Sequence, residues 1–110
     1  MIKGPYYYIG RARGKDVFLS EYSLDKVRLR KISIQSVLST LSKPWKRLID
    51  RKHKAILPGF KRLIYVSLKY RLIVVVEENN NIVIVTSWVT SKDIKKLVEN
   101  RVKQGVWVEE

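Results

Sequence analysis

Lys43, Lys46, Arg47, Arg51, Lys52, Lys54, Lys61 and Arg62 are interleaved with Trp45, His53, Phe60 and Tyr65 in one stretch of the chain. Cations there can hold phosphates while neighbouring rings offer faces on which bases stack, the chemistry of a nucleic-acid surface. The competing reading is a solubilising edge strand whose lysines discourage pairing with other chains. A second set has helical spacing: Tyr22, Lys26 and Arg30 fall at i, i+4 and i+8 and share a face. Metal-independent RNA cleavage requires a group to take the 2′-hydroxyl proton, another to protonate the leaving oxygen, and cations on the scissile phosphate. Tyr22, Lys26 and Arg30, with Arg71 facing them and Thr86 or Ser87 donating to the phosphate, have the functional groups for that reaction. A charged helix face that is simply solvated is the plainer account.

The remaining chemistry-bearing residues are sparse. His53 is the only histidine and the chain has no cysteine, so neither a histidine cluster nor a thiolate metal site can form, and no cofactor signature is present. His53 reads as an exposed member of the basic stretch, although an imidazole titrating near neutrality can serve as a base. Tyr6, Tyr7 and Tyr8 can stack bases, but consecutive strand residues point to opposite faces, so at most Tyr6 and Tyr8 act together; sheet packing is the alternative. Trp88 and Trp107 read as core anchors or interface residues. Glu77 and Glu78 precede an Asn-rich turn and read as solvated loop rather than paired carboxylates.

The elements that must position these groups follow from periodicity. Aromatic and β-branched residues at Tyr6 to Ile9 and Asp16 to Leu19, with Gly10 and Gly14 between them, predict a β-hairpin. Ser20 to Lys31 predicts a short basic helix, and Ser33 can cap a second in which Ile34, Val37, Leu38 and Leu41 form an apolar stripe that Pro44 terminates. Trp45 to Leu57 is expected as an exposed strand. Pro58-Gly59 marks a turn, and Arg62 to Leu68, Leu72 to Val76 and Ile82 to Val85 read as strands, the last two as a central hairpin around residues 77–81. Thr90 to Asp93 resembles a capping box ahead of a C-terminal helix bearing Ile94, Leu97, Val98 and Val102 and ending near Gly105. Val106-Trp107-Val108 is then either a short edge strand or a packed tail. The order predicts a single α+β domain over residues 1–110, with an N-terminal hairpin, two short helices, a curled antiparallel sheet of about four strands and a C-terminal helix.

From Ser20 to Thr86 the chain resembles a group of small domains of unknown function that stand beside the RelE and BrnT toxins. The resemblance rests on the helix Tyr22 to Ser33, on Val37 to Leu41 followed by Ser42-Lys43-Pro44, and on the hairpin Arg71 to Val76 with Ile82 to Thr86. Two positions depart from the group's pattern: Tyr22 stands where histidine is usual, and Lys31 where a glycine commonly precedes the isoleucine. The first departure removes an imidazole from any catalysis at that place. The resemblance implies a RelE-like or barnase-like α+β fold with helices on a curled antiparallel sheet, and an RNase-type toxin role.

Lys and Arg number 23 against 10 Asp and Glu, a net charge of +13 in 110 residues. That excess repels itself and is useful to a chain whose partner is polyanionic. Nucleic acid, RNA or DNA, is the first candidate; an acidic, antitoxin-like protein partner and a homodimer paired through an exposed strand are the others. No apolar run approaches the ~18 residues of a membrane helix, and Met1-Ile2-Lys3-Gly4-Pro5 does not read as a secretory signal. A soluble, intracellular, cytoplasmic setting is therefore expected, and usage rich in Lys, Arg, Ile and Val without Cys is compatible with a thermophilic source.

Overall fold

The computed structural model describes residues 4–110. Met1, Ile2 and Lys3, part of the segment read as lacking a secretory signal, lie outside the described residues. In chain order the elements are β1 (Tyr6–Ala12), β2 (Lys15–Ser20), α1 (Glu21–Leu29), α2 (Ile34–Ser42), β3 (Lys46–Asp50), β4 (Lys61–Ser67), β5 (Leu72–Glu78), β6 (Asn81–Val89), α3 (Ile94–Lys103) and β7 (Trp107–Glu109). The predicted α+β class holds, but the sheet is larger than expected: it has seven strands in the order β1-β2-β6-β5-β4-β3-β7. It is also mixed, because β2 runs parallel to β6 while every other neighbouring pair is antiparallel. The N-terminal hairpin, not counted in the expected sheet of about four strands, joins the meander β3 to β6 through that parallel contact.

Local chemistry accounts for the helix boundaries. The Ser20 hydroxyl accepts from the Ser23 amide at the start of α1, and the Ser33 hydroxyl accepts from the Ser36 amide at 3.1 Å to start α2. Asp93 performs the same task for α3, accepting from the Lys96 amide. The cap is thus the last residue of the Thr90 to Asp93 motif, since Asp93 is the one whose backbone is still extended beside the first helical turn. Lys31, between α1 and α2, has φ 55°, a left-handed conformation that glycine adopts more easily.

Along most of β4 and β5 both faces are covered, which is why these strands read as nearly continuous apolar runs. Val17, Leu19, Tyr65, Val74, Val76 and Ile84 point to the side of α1 and α2. Leu48, Ile64, Val66, Ile73 and Val75 point to the other side, where Ile94 and Val98 of α3 and Trp107 of β7 close a second core. The helix α2 comes close to β1: a Cβ built on Gly10, which has φ 141°, would lie 3.0 Å from Leu38 Cδ1. The hairpin register slips by one residue beside it, between Tyr8 and Gly10.

Two further expectations are corrected, and one open alternative is decided. The strand foreseen from Trp45 to Leu57 is confined to Lys46–Asp50; residues 51–60 form a loop. Val106 to Val108 resolves into an edge strand, with Trp107 opposite Asp50 on β3. Glu77 and Glu78 are not loop residues: they end β5 and are buried. Alternation along the strand sends their side chains to opposite faces, so each must find its own partners.

Candidate nucleic-acid interface

The helix side of the sheet is only partly roofed. The first helix, α1, packs on β6, β2 and β1, and α2 on β1, β5 and β4. Beyond them an open cavity of about 360 Å³ lies over β3 and the start of β4, with Lys15, Arg47, Lys61 and Glu78 among its walls. The side chains converge because the register places them on one face: Lys61 lies opposite Glu78, and Arg47 opposite Tyr65.

At the wall, Glu78 accepts from Lys15 Nζ on Oε2 at 2.6 Å, and behind it the fully buried Tyr65 hydroxyl donates to Oε1 at 2.5 Å. Arg13, in the turn between β1 and β2, donates to the same Tyr65 oxygen at 2.6 Å, and the Arg13 and Arg47 guanidinium groups lie 5.8 Å and 5.6 Å from the Tyr65 ring centroid. Burial, the hydrogen bond to Glu78 and the charge of that carboxylate, in that order, push the phenol pKa upward, against the smaller opposing pull of Arg47 and Arg13. Tyr65 therefore remains a neutral donor across the physiological range. Arg47 also pairs with Glu110 at 2.7 Å, while its Nε is buried without a hydrogen-bond partner among the described residues. Two carboxylates, Glu78 and Glu110, thus share the site with Lys15, Arg47 and Lys61 in the wall and Arg13 behind Tyr65, and cationic charge exceeds them by two.

On the opposite face Glu77 is fully buried and accepts from the backbone amides of Ile56 and Leu57 and from Arg62 Nη1. Asp50 accepts from the Lys52 and His53 amides, and its second oxygen lies 3.2 Å from His53 Nδ1. These two carboxylates pin the 51–60 loop to the sheet.

The eight cations expected to form one basic surface, with Trp45 and His53 among them, separate accordingly. Arg47 and Lys61 face the cavity. Arg62 is spent on Glu77, and Lys46 on Glu109. Trp45 packs into the second core beneath Lys46 and Lys95. Lys43 is exposed after α2, beside a different cavity, and Arg51, Lys52, His53 and Lys54 project from the loop.

Of the α1 set, Tyr22 and Lys26 are in cation–π contact at 5.1 Å, and Arg30 reaches β6, donating to Thr86 Oγ1 at 3.3 Å and to the Ser87 carbonyl at 2.7 Å. Arg30 satisfies the edge of β6 beyond Ile84, where β2 leaves the sheet to become α1. Arg71, with φ 52°, donates instead to the carbonyls of Thr90 and Lys92 and ties the far ends of β5 and β6. Arg30 and Thr86 are therefore brought together, while Arg71 is held at another place by backbone bonds.

Arg13, Lys15 and Glu78 were not foreseen as site residues. Their partners are far away in sequence, but one signal is present: Lys61-Arg62 opens β4 and Glu77-Glu78 closes β5, so antiparallel pairing sets opposite charges across from each other on both faces. Among the described residues no group of three His, Cys, Asp or Glu side chains is arranged to hold a metal, and no helix is long and apolar enough to cross a membrane. Comparison with known proteins finds no matching family model, curated protein or solved structure.

Proposed function

We propose that the chain binds nucleic acid, with backbone phosphates held at the cavity formed by Lys15, Arg47 and Lys61 beside Arg13. The observation that carries this reading is the convergence of those cations on an open hollow whose two carboxylates already have partners, Glu78 in Lys15 and Tyr65 and Glu110 in Arg47, with Lys61 left exposed. The net charge of +13 supplies the long-range attraction. The test is a fluorescence-anisotropy titration of single-stranded RNA, single-stranded DNA and duplex DNA at several salt concentrations. Affinity should fall with salt as counterions are released. For a single strand, an Arg13→Gln, Lys61→Gln double variant should reduce the slope of log K against log salt by about 0.7 for each phosphate it no longer neutralises. Absence of binding to every probe at low salt overturns the reading and leaves an acidic protein as the partner to seek.

A second reading, metal-independent RNA cleavage, is favoured by one feature. Glu78, held from behind by the buried Tyr65 phenol, sets a carboxylate among cations at the cavity wall, the group types that acid–base phosphodiester chemistry uses. The resemblance to RelE-adjacent domains points the same way, and the left-handed φ of Lys31 is in keeping with a position where those domains carry glycine. The α1 groups Tyr22, Lys26, Arg30 and Thr86 are the other place for such chemistry. Fragmentation of RNA lost in Tyr65→Phe but kept in Tyr22→Phe assigns it to the cavity; the reverse assigns it to α1, and intact RNA in every case removes the reading.

A further inference from the structure

On the face of the sheet opposite the cationic cavity, at the same end, lies a separate open groove of about 260 Å³. Phe18 of β2 and Val83 of β6 form its floor, Leu57, Pro58 and Phe60 one wall, and Tyr6 of β1 the other. Tyr6 is 43% exposed, and Tyr8 is 59% exposed and meets the edge of Phe18 at a centroid distance of 5.7 Å. Three aromatic rings thus surround a hollow in a chain that has ample core in which to bury them, a pattern that marks a recognition surface.

Hydrogen bonds on both sides hold the groove wall. Leu57 to Phe60 is a tight turn closed by the Phe60 amide donating to the Leu57 carbonyl, with Pro58 at its second position and Gly59, φ 77°, at its third. Glu77 holds the amides of Ile56 and Leu57 immediately before it. The turn is also the partition between the two hollows: Pro58 and Phe60 line the aromatic groove, whereas Gly59 and Lys61 line the cationic cavity. The β5–β6 turn repeats the alternation, with Asn81 on the groove and Asn79 on the cavity.

Resting on the nucleic-acid reading above, we infer that the aromatic groove is a base-stacking subsite for single-stranded nucleic acid, whose backbone crosses the 57–61 turn to place phosphate in the cavity. A duplex, with its bases stacked internally, has no ring to offer the groove. Stacking on aromatic side chains tolerates any base, so the subsite selects strandedness rather than sequence.

The experiment compares the wild-type protein's affinity for a short single-stranded oligonucleotide, its abasic counterpart with the same number of phosphates, and a duplex, at one low salt concentration. The intact strand should bind on the order of tenfold more tightly than the abasic strand. The exposed-ring variant Tyr6→Ala should narrow that gap without changing affinity for the abasic strand. Equal affinity for intact and abasic strands overturns the inference while leaving the phosphate-binding reading in place; loss of all three interactions removes both. A dimer that dissociates in Tyr6→Ala, together with base-blind binding, overturns it in favour of a second copy of the chain in the groove.

Discussion

Tyr65 contributes a large apolar ring to the first core and a hydroxyl that joins Glu78 to Arg13. Its pKa is raised above 10.0, so the folded chain retains the phenolic proton where the unfolded chain releases it. The stability linked to this proton is complete below pH 10 and is lost as pH rises above it toward the folded value. Denaturant titrations from pH 9 to 11 should show wild type losing stability more steeply than Tyr65→Phe. The variant itself should be less stable at pH 7 by about 1–3 kcal/mol, because Glu78 loses a donor and Arg13 an acceptor at a buried site. A parallel pH dependence in the two proteins would contradict this account. Glu77 makes a second residue-scale case: Glu77→Ala frees two backbone amides and leaves Arg62, 15% exposed, facing a cavity. A loss of about 3–5 kcal/mol is expected from chemical denaturation, with hydrogen exchange accelerated at Ile56 and Leu57.

At the scale of elements, packing and edge satisfaction decide what sequence periodicity leaves open. Both short helices, the Ser33 cap and the hairpin of β5 and β6 are legible in the chain, because each is specified by residues within a dozen positions. The extent of the sheet is not. The β7 strand consists of three residues and exists by pairing with β3, and the parallel contact of β2 with β6 joins segments separated by both helices. The Glu77-Glu78 pair misleads for a related reason: beside three asparagines it has turn chemistry, and only the cross-strand cations Lys61 and Arg62 reveal it as strand. The candidate site is legible in part, since Arg47 and Lys61 belong to the basic stretch, whereas Arg13 in the β1–β2 turn and Lys15 at the start of β2 lie more than fifty residues from Tyr65 and Glu78. Gly10 tests the packing of α2 on β1. Gly10→Ala places a methyl against Leu38 at a backbone angle that L-residues rarely adopt, and should cost about 1–3 kcal/mol in a thermal or denaturant melt. A neutral effect would mean that α2 stands farther from the hairpin than the structure places it.

For the whole molecule the dominant quantity is charge. A chain of 110 residues with +13 net charge and a Cα radius of gyration of 12.9 Å concentrates like charges within a few Debye lengths, so folding works against its own field. Ion pairs relieve little of it, because the acidic side chains are few and several are already committed: Glu77 to Arg62, Glu78 to Lys15 and Asp16 to Arg11. Two salt dependences of opposite sign follow. In the free protein, raising salt from low to moderate concentration screens the repulsion and should raise the melting temperature. In the presence of excess single-stranded oligonucleotide, the low-salt melting temperature should stand well above that of the free protein, by the linkage that stabilises any state a ligand prefers, about 2.7 kcal/mol when ligand exceeds Kd a hundredfold. That increment should shrink as salt releases the ligand. The two melting curves therefore converge as salt rises if the charge serves nucleic-acid binding, and remain superimposed at every salt concentration if it serves only solubility.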